Sequence, residues 1–174
     1  MRHTIKTILT SAMAAVATFF MVVYISCSKD KCSGVVCYNG GTCGGGNCTC
    51  TDAFEGTNCQ TAARAKFIGN WGVTNTTASI TEPAQFSVSV AVGPSFNQVN
   101  IMNLHNLISV AVVATISRDT ITILPQTVQG KIISGAGYIY STSVYTINSN
   151  ISISYTVTDA VTHVQDSETE IWNG

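Results

Sequence analysis

Charge is what this chain has least of. Only 10% of its 174 residues are Asp, Glu, Lys or Arg, against about 25% in ordinary globular chains. Eight basic and nine acidic residues leave a net charge of −1. With so few cations and no basic run, nucleic acid is excluded as a partner. Long apolar runs are equally scarce. Mean hydropathy is +0.28, yet only one stretch is long enough to cross a bilayer. The chain has no Gly-x-Ser-x-Gly, no His-x-x-x-His and no glycine-rich phosphate loop, so no catalytic set or cofactor site is implied. Beyond residue 67 no segment keeps a 3.6-residue apolar period. In their place stand 17 serines, 23 threonines and an odd seven cysteines.

The amino terminus carries an address. Arg2, His3 and Lys6 precede an uncharged stretch, Thr7 to Ser26, whose apolar centre runs from Ala12 to Ile25. A basic start, an apolar middle and a small residue before the break describe a secretory signal. Ile25-Ser26-Cys27 resembles a bacterial lipobox, with Tyr24 where leucine is usual. The resemblance implies a signal peptide over 1–26, removal after Ser26 and a lipid (palmitate among its acyl chains) on Cys27. An uncleaved signal anchor is the alternative, since the stretch is long enough to span. Both readings put the remainder outside the cytoplasm, where disulfides persist.

After a short segment, 27–31, six cysteines crowd into 32–59 with very few apolar companions. Such a segment cannot offset its ordering entropy without cross-links. Zinc is the weaker reading, because the segment has no histidine and the context is exported. Spacing alone permits 15 pairings, as for any six cysteines. The run Cys32-x4-Cys37-x5-Cys43-x4-Cys48-x-Cys50-x8-Cys59 resembles an epidermal growth factor (EGF)-like module, with Tyr38-Asn39-Gly40-Gly41-Thr42 and Phe54-Glu55-Gly56 in support. The resemblance implies Cys32–Cys43, Cys37–Cys48 and Cys50–Cys59. It also implies tight turns at Asn39-Gly40-Gly41 and Gly56, where positive φ is needed. The calcium-binding subtype is not matched: only Asp30 fits, Lys31 stands where an acceptor belongs, and no metal is expected.

Residues 60–68 read as a linker or short helix, and 69–174 as one antiparallel β-domain. Apolar residues alternate at Phe86-Val88-Val90-Val92, Val110-Val112-Ala114-Ile116 and Ile151-Ile153-Tyr155-Val157. That period of two predicts half-buried strands. Turn signals at Gly93-Pro94, Arg118-Asp119, Pro125, Gly130, 148–150 and Asp159 separate them. The candidates are nine: 70–77, 85–92, 98–102, 109–117, 120–124, 131–140, 143–147, 150–157 and 164–172. Short connections favour a meander, closed as an up-and-down barrel in preference to a two-sheet sandwich. Gly69-Asn70-Trp71 resembles the G-x-W that opens lipocalin barrels, which makes Trp71 a candidate pocket or barrel-end residue. The whole chain resembles short lipoproteins of the Bacteroidota that join one EGF-like module to a β-rich domain. Cys27, the cysteine run and Arg64-Ala65-Lys66-Phe67-Ile68-Gly69 carry that resemblance.

Little chemistry is offered. His105 falls in the polar turn Asn103-Leu104-His105-Asn106, which predicts a solvated loop residue. His163, near the last strand, is expected to pack or face water. Asp119 and Asp159 are the aspartates that could partner these histidines. Asp166, Glu168 and Glu170 alternate and so share one strand face, expected to be solvated and to discourage edge pairing. Asp119-Thr120-Ile121 resembles an O-glycosylation motif of exported Bacteroidota proteins, which implies Thr120 as acceptor. The expectation is a non-catalytic protein of the cell envelope, on the outer membrane and facing the periplasm or the surface. The membrane is its partner through the lipid, with a protein, a glycan or a small apolar ligand as the second partner. The EGF-like module would act as a rigid spacer for binding or display. A barrel-type carrier of a small apolar ligand is the alternative, and an envelope enzyme the remote one.

Overall fold

The computed structural model describes residues 31–75, 85–141 and 149–174. Cys27, the apolar amino-terminal stretch and the 143–147 strand candidate lie outside the described residues. Within them, no helix is long and apolar enough to cross a membrane.

The cysteine-rich segment forms two small hairpins. Strands β1 (Thr42–Gly44) and β2 (Asn47–Thr49) pair antiparallel, as do β3 (Phe54–Glu55) and β4 (Thr61–Ala62). Disulfides join Cys32 to Cys43, Cys37 to Cys48 and Cys50 to Cys59, the pairing that the resemblance implies. Asn39 and Gly40 turn the chain with φ of 51° and 76°, a region asparagine and glycine tolerate best.

Eight strands then close a barrel: β5 (Gly69–Asn75), β6 (Gln85–Val92), β7 (Gln98–Met102), β8 (Val112–Ser117), β9 (Thr120–Val128), β10 (Lys131–Ser141), β11 (Ser149–Asp159) and β12 (Gln165–Asn173). Each pairs antiparallel with its neighbour in sequence, and β12 returns to β5. The up-and-down barrel, not the sandwich, is the architecture. Full closure leaves no unpaired edge. Alternate residues fill the interior, among them Val88 and Val90, Val112, Ala114 and Ile116, and Ile151 and Ile153.

Two expectations about strands are corrected. Ser109 to Ala111 stay outside β8, which begins at Val112. Pro125 is not a turn: β9 runs through it to Val128, and the β9–β10 register shifts at this point. Proline cannot donate to a ladder, so a strand accommodates it at such a bulge. The side chain of Gln126 replaces lost ladder bonds, accepting from the Val113 N–H at 3.0 Å and donating to the Val113 carbonyl at 2.7 Å. In β10, Gly135 and Gly137 face β11 so closely that an added Cβ would lie 2.4 Å from Tyr155 Cβ and from Ser152 O, respectively. No other residue fits at that separation.

The two barrel ends differ. At one end a 3-10 helix, Ala63–Phe67, places buried Ala63 and Phe67 in the core. Arg64 donates to the Ser95 carbonyl at 2.5 Å and so ties this helix to the β6–β7 loop. The disulfide module packs here. Arg118 bonds Asp52 through both its backbone N–H (2.7 Å) and its Nε (2.8 Å). Lys66 reaches Glu55 and Asp119, each at 2.6 Å, and Phe54 stacks on Phe96 with ring centroids 5.7 Å apart. The opposite end carries the β7–β8 loop, the β9–β10 turn and the β11–β12 loop.

Candidate functional site at the open barrel end

A cleft of about 420 Å³ opens at the end remote from the module. Its apolar walls are Leu107 and Ile108 from the β7–β8 loop, Val157 from β11 and Val164 from the β11–β12 loop. Polar groups complete it: His105, Gln129, Thr162, the Lys131–Asp159 pair and Asp166. Leu107 and Val164 stay 60% and 69% exposed, an apolar rim facing water.

The β7–β8 loop is built to turn inward. Leu104 and Ile108 bridge to each other and are buried, which pulls His105 down between them. The tight path puts Asn103, His105 and Asn106 at positive φ (61°, 57° and 45°). Asparagine and histidine enter this region more readily than most non-glycine residues. Asn103 Nδ2 donates to the Ser87 carbonyl at 2.8 Å. Gln129 ties the loop to the β9–β10 turn, accepting from the Ser109 N–H at 3.1 Å and donating to Ser109 Oγ at 3.0 Å.

His105 is therefore buried, at 4% exposure, and the expectation of a solvated loop residue is corrected. Its Nδ1 lies 3.5 Å from the Tyr155 hydroxyl and its Nε2 lies 3.9 Å from Asp166 Oδ2. The imidazole meets the Tyr155 ring edge-on.

The acidic alternation of β12 is also corrected. Asp166, Glu168, Glu170 and Trp172 share a face, but the face points into the barrel. Glu168 and Glu170 are 2% and 0% exposed. Closure leaves β12 no free edge to protect. The in-phase Trp172, itself fully buried, carries the face inward. Tyr155 O–H donates to Glu170 Oε1, and Trp172 Nε1–H donates to Glu170 Oε2 at 2.6 Å. Both carboxyl oxygens thus accept, which offsets the cost of placing a polar group in an apolar interior. Beneath the cleft lies a chain of polar contacts: Asp166 at the mouth, then His105, Tyr155, Glu170 and Trp172.

Asp159 at the end of β11 accepts from the N–H groups of Thr162 (2.8 Å) and Val161 (2.9 Å) and from Lys131 Nζ (2.9 Å). The Thr162 N–H, followed by Lys131, holds its carboxyl far below the usual carboxylate range. This pair fixes the β11–β12 loop against β10.

Other sequence-predicted residues lie elsewhere. Trp71 belongs to the opposite end, 5% exposed, with Nε1–H donating to the Phe67 carbonyl at 2.9 Å. It packs in the core and does not line the cleft. Thr120, also at that end, is exposed at the start of β9, and its hydroxyl donates to the Ser117 carbonyl at 2.7 Å. Asp119 beside it accepts from Lys66. His163 is exposed in the β11–β12 loop with φ of 58°. Sequence reasoning missed Tyr155 as a polar group, because its alternation with Ile151, Ile153 and Val157 marks it as core. The available signal was the phase of Glu168 and Glu170 with Trp172. No protein-family model, curated protein or solved structure matches the chain, so the meaning of this site rests on its own geometry.

Proposed function

We propose that this is a lipid-anchored envelope protein that binds a small ligand at the open end of its barrel. In this reading residues 1–26 direct export, Cys27 carries the lipid, and 32–59 is an EGF-like module holding the barrel off the membrane. The observation that carries the reading is the cleft of about 420 Å³, whose volume is within the range of small-molecule sites. Its place supports the same view: it opens at the barrel end remote from the module. The module grips the barrel through Arg118, Lys66 and Phe54, which suits a spacer that fixes the direction in which the cleft points. A barrel that takes a small ligand at its mouth also suits the carrier reading, with the apolar rim as the entrance. Binding is favoured over catalysis because, of His105, Tyr155 and Glu170, His105 alone lines the cleft, and the three are engaged with one another.

The test is recovery of a bound molecule. Protein purified gently from its native membranes is denatured, and the released small molecules are identified by mass spectrometry. Wild type should release one compound in near-stoichiometric amount. Val164→Trp, which places an indole across the cleft mouth, should release none. Equal recovery from both proteins, or none from wild type even after incubation with a cell extract, would overturn the proposal.

A further inference from the structure

We infer that a second cleft, between the disulfide module and the barrel, takes an uncharged oligosaccharide, with one sugar ring stacked on Phe96. The inference is independent of the binding role proposed for the open end.

This cleft measures about 420 Å³, the size of a small-molecule site. Phe54 of the module and Phe96 of the β6–β7 loop line it, their rings stacked with 15° between the planes. Phe96 nonetheless stays 59% exposed. A lone exposed phenylalanine needs no explanation, but this ring stands on the wall of a cleft and is held there. Arg64 Nη1 donates to the Ser95 carbonyl at 2.5 Å, and the Gln98 N–H donates to the same carbonyl at 3.0 Å. The Asn97 carbonyl accepts from the Ile116 N–H of β8 at 2.7 Å. Gly93, where the loop begins, has no room for a Cβ, which would fall 2.6 Å from the Gln98 carbonyl carbon. The loop is therefore pre-organised, and a ligand meets the ring without an ordering cost.

The lining selects the ligand. Thr51, Asn97, Thr115 and Ser117 supply hydroxyls and an amide, groups that both donate and accept. Among the described residues of the lining, Asp52 alone is charged, and Arg118 Nε holds it at 2.8 Å. A charged ligand would leave water for a cleft with no counter-charge committed to it. A purely apolar ligand would cover the amide and hydroxyls without bonding them. A sugar ring meets both conditions. Its C–H face lies against the negative face of an aromatic ring, and the hydroxyls around its edge exchange hydrogen bonds with the polar lining.

The full-length protein in detergent is applied to an array of immobilised oligosaccharides. The array carries uncharged chains of glucose, mannose, galactose and N-acetylglucosamine, with oligogalacturonate and chitosan oligomers as charged counterparts. At least one uncharged chain should bind, and neither charged counterpart should. The chain that binds is then titrated in free form by calorimetry. Phe96→Ala should weaken it roughly tenfold or more, as for an aromatic anchor, and Phe96→Tyr should keep most of the affinity. Because Phe96 also touches the module, Thr115→Val gives a second reading. It removes a lining hydroxyl, keeps the shape of the side chain, and should weaken binding roughly two- to tenfold with the thermal midpoint little changed. Val164→Trp at the open end should leave sugar binding as it is. No binding of any uncharged chain, equal binding of the charged counterparts, or indifference to Phe96→Ala or to Thr115→Val would each overturn the sugar site. Sugar binding that disappears with Val164→Trp would also overturn it, by assigning the sugar to the open end.

Discussion

In the disulfide module a single residue, Cys59, is fully buried, and Val36 and Tyr38 remain 56% and 52% exposed. In the barrel every strand contributes side chains to one enclosed core. The module is thus ordered by covalent restriction of its unfolded state, and the barrel by apolar burial and a closed hydrogen-bond ladder. The difference governs where function can be placed. A segment with no interior cannot enclose a ligand, but it can hold direction. A barrel with an interior can give up part of its core to polar groups, and this one does so toward its open end.

The comparison can be broken from the barrel side with the largest effect. Gly137→Val would drive its side chain into the β11 backbone, where a Cβ already falls 2.4 Å from Ser152 O. A loss of about 3 kcal/mol or more is expected. Urea unfolding followed by circular dichroism should show the barrel failing while the three disulfides remain formed.

The reverse experiment removes a staple. Cys37→Ser with Cys48→Ser should cost the module about 2–5 kcal/mol and leave the barrel folded. Hydrogen exchange should then show lost protection at Thr42–Gly44 and Asn47–Thr49 with β5 to β12 unchanged. Loss of protection across the barrel would show that the two regions fold as one unit.

Within the barrel, Tyr155→Phe removes the hydroxyl that bonds Glu170 and approaches His105. Leaving a buried carboxyl short of a donor should cost about 1–3 kcal/mol. Trp172 fluorescence should also change, because its indole N–H shares the same carboxyl group.

The smallest effect lies at the junction. Burial of the Lys66 amine works against its charge, but hydrogen bonds to Asp119 and Glu55 outweigh it and raise its pKa above the ordinary 10.5. A group whose folded pKa is raised adds stability in full below its unfolded value, and that stability fades as pH climbs through the folded value. The junction should therefore hold throughout the neutral range and loosen only in strong alkali. Lys66→Met should cost about 1 kcal/mol or less, measured as faster proteolysis between module and barrel at neutral pH. The wild-type advantage should disappear above the raised pKa.

Much of the fold is legible in local pattern. Alternation at Ile151, Ile153, Tyr155 and Val157 marks β11, and two-residue connections such as Arg118-Asp119 force neighbouring strands to pair. Pro125 misleads because its meaning depends on the partner strand: a bulge and the Gln126 side chain absorb the missing donor. His105 misleads for a similar reason. Its immediate neighbours Asn103 and Asn106 are polar, while the contacts that bury it come from Tyr155, 50 residues away.

Sequence alone determined the strand rhythm and the division into a cysteine-rich module and a β-domain, because cysteine density and side-chain alternation are local quantities; the disulfide pairing came from the resemblance and not from spacing. Tertiary structure decided which way each face points. Closing the sheet turned the acidic face of β12 inward beside Tyr155, and the inward fold of the β7–β8 loop set His105 over it. Alternation fixes two faces for a strand but not which one meets the core. That choice belongs to the strands on either side, and here it separates a solvated edge from the floor of a candidate binding site.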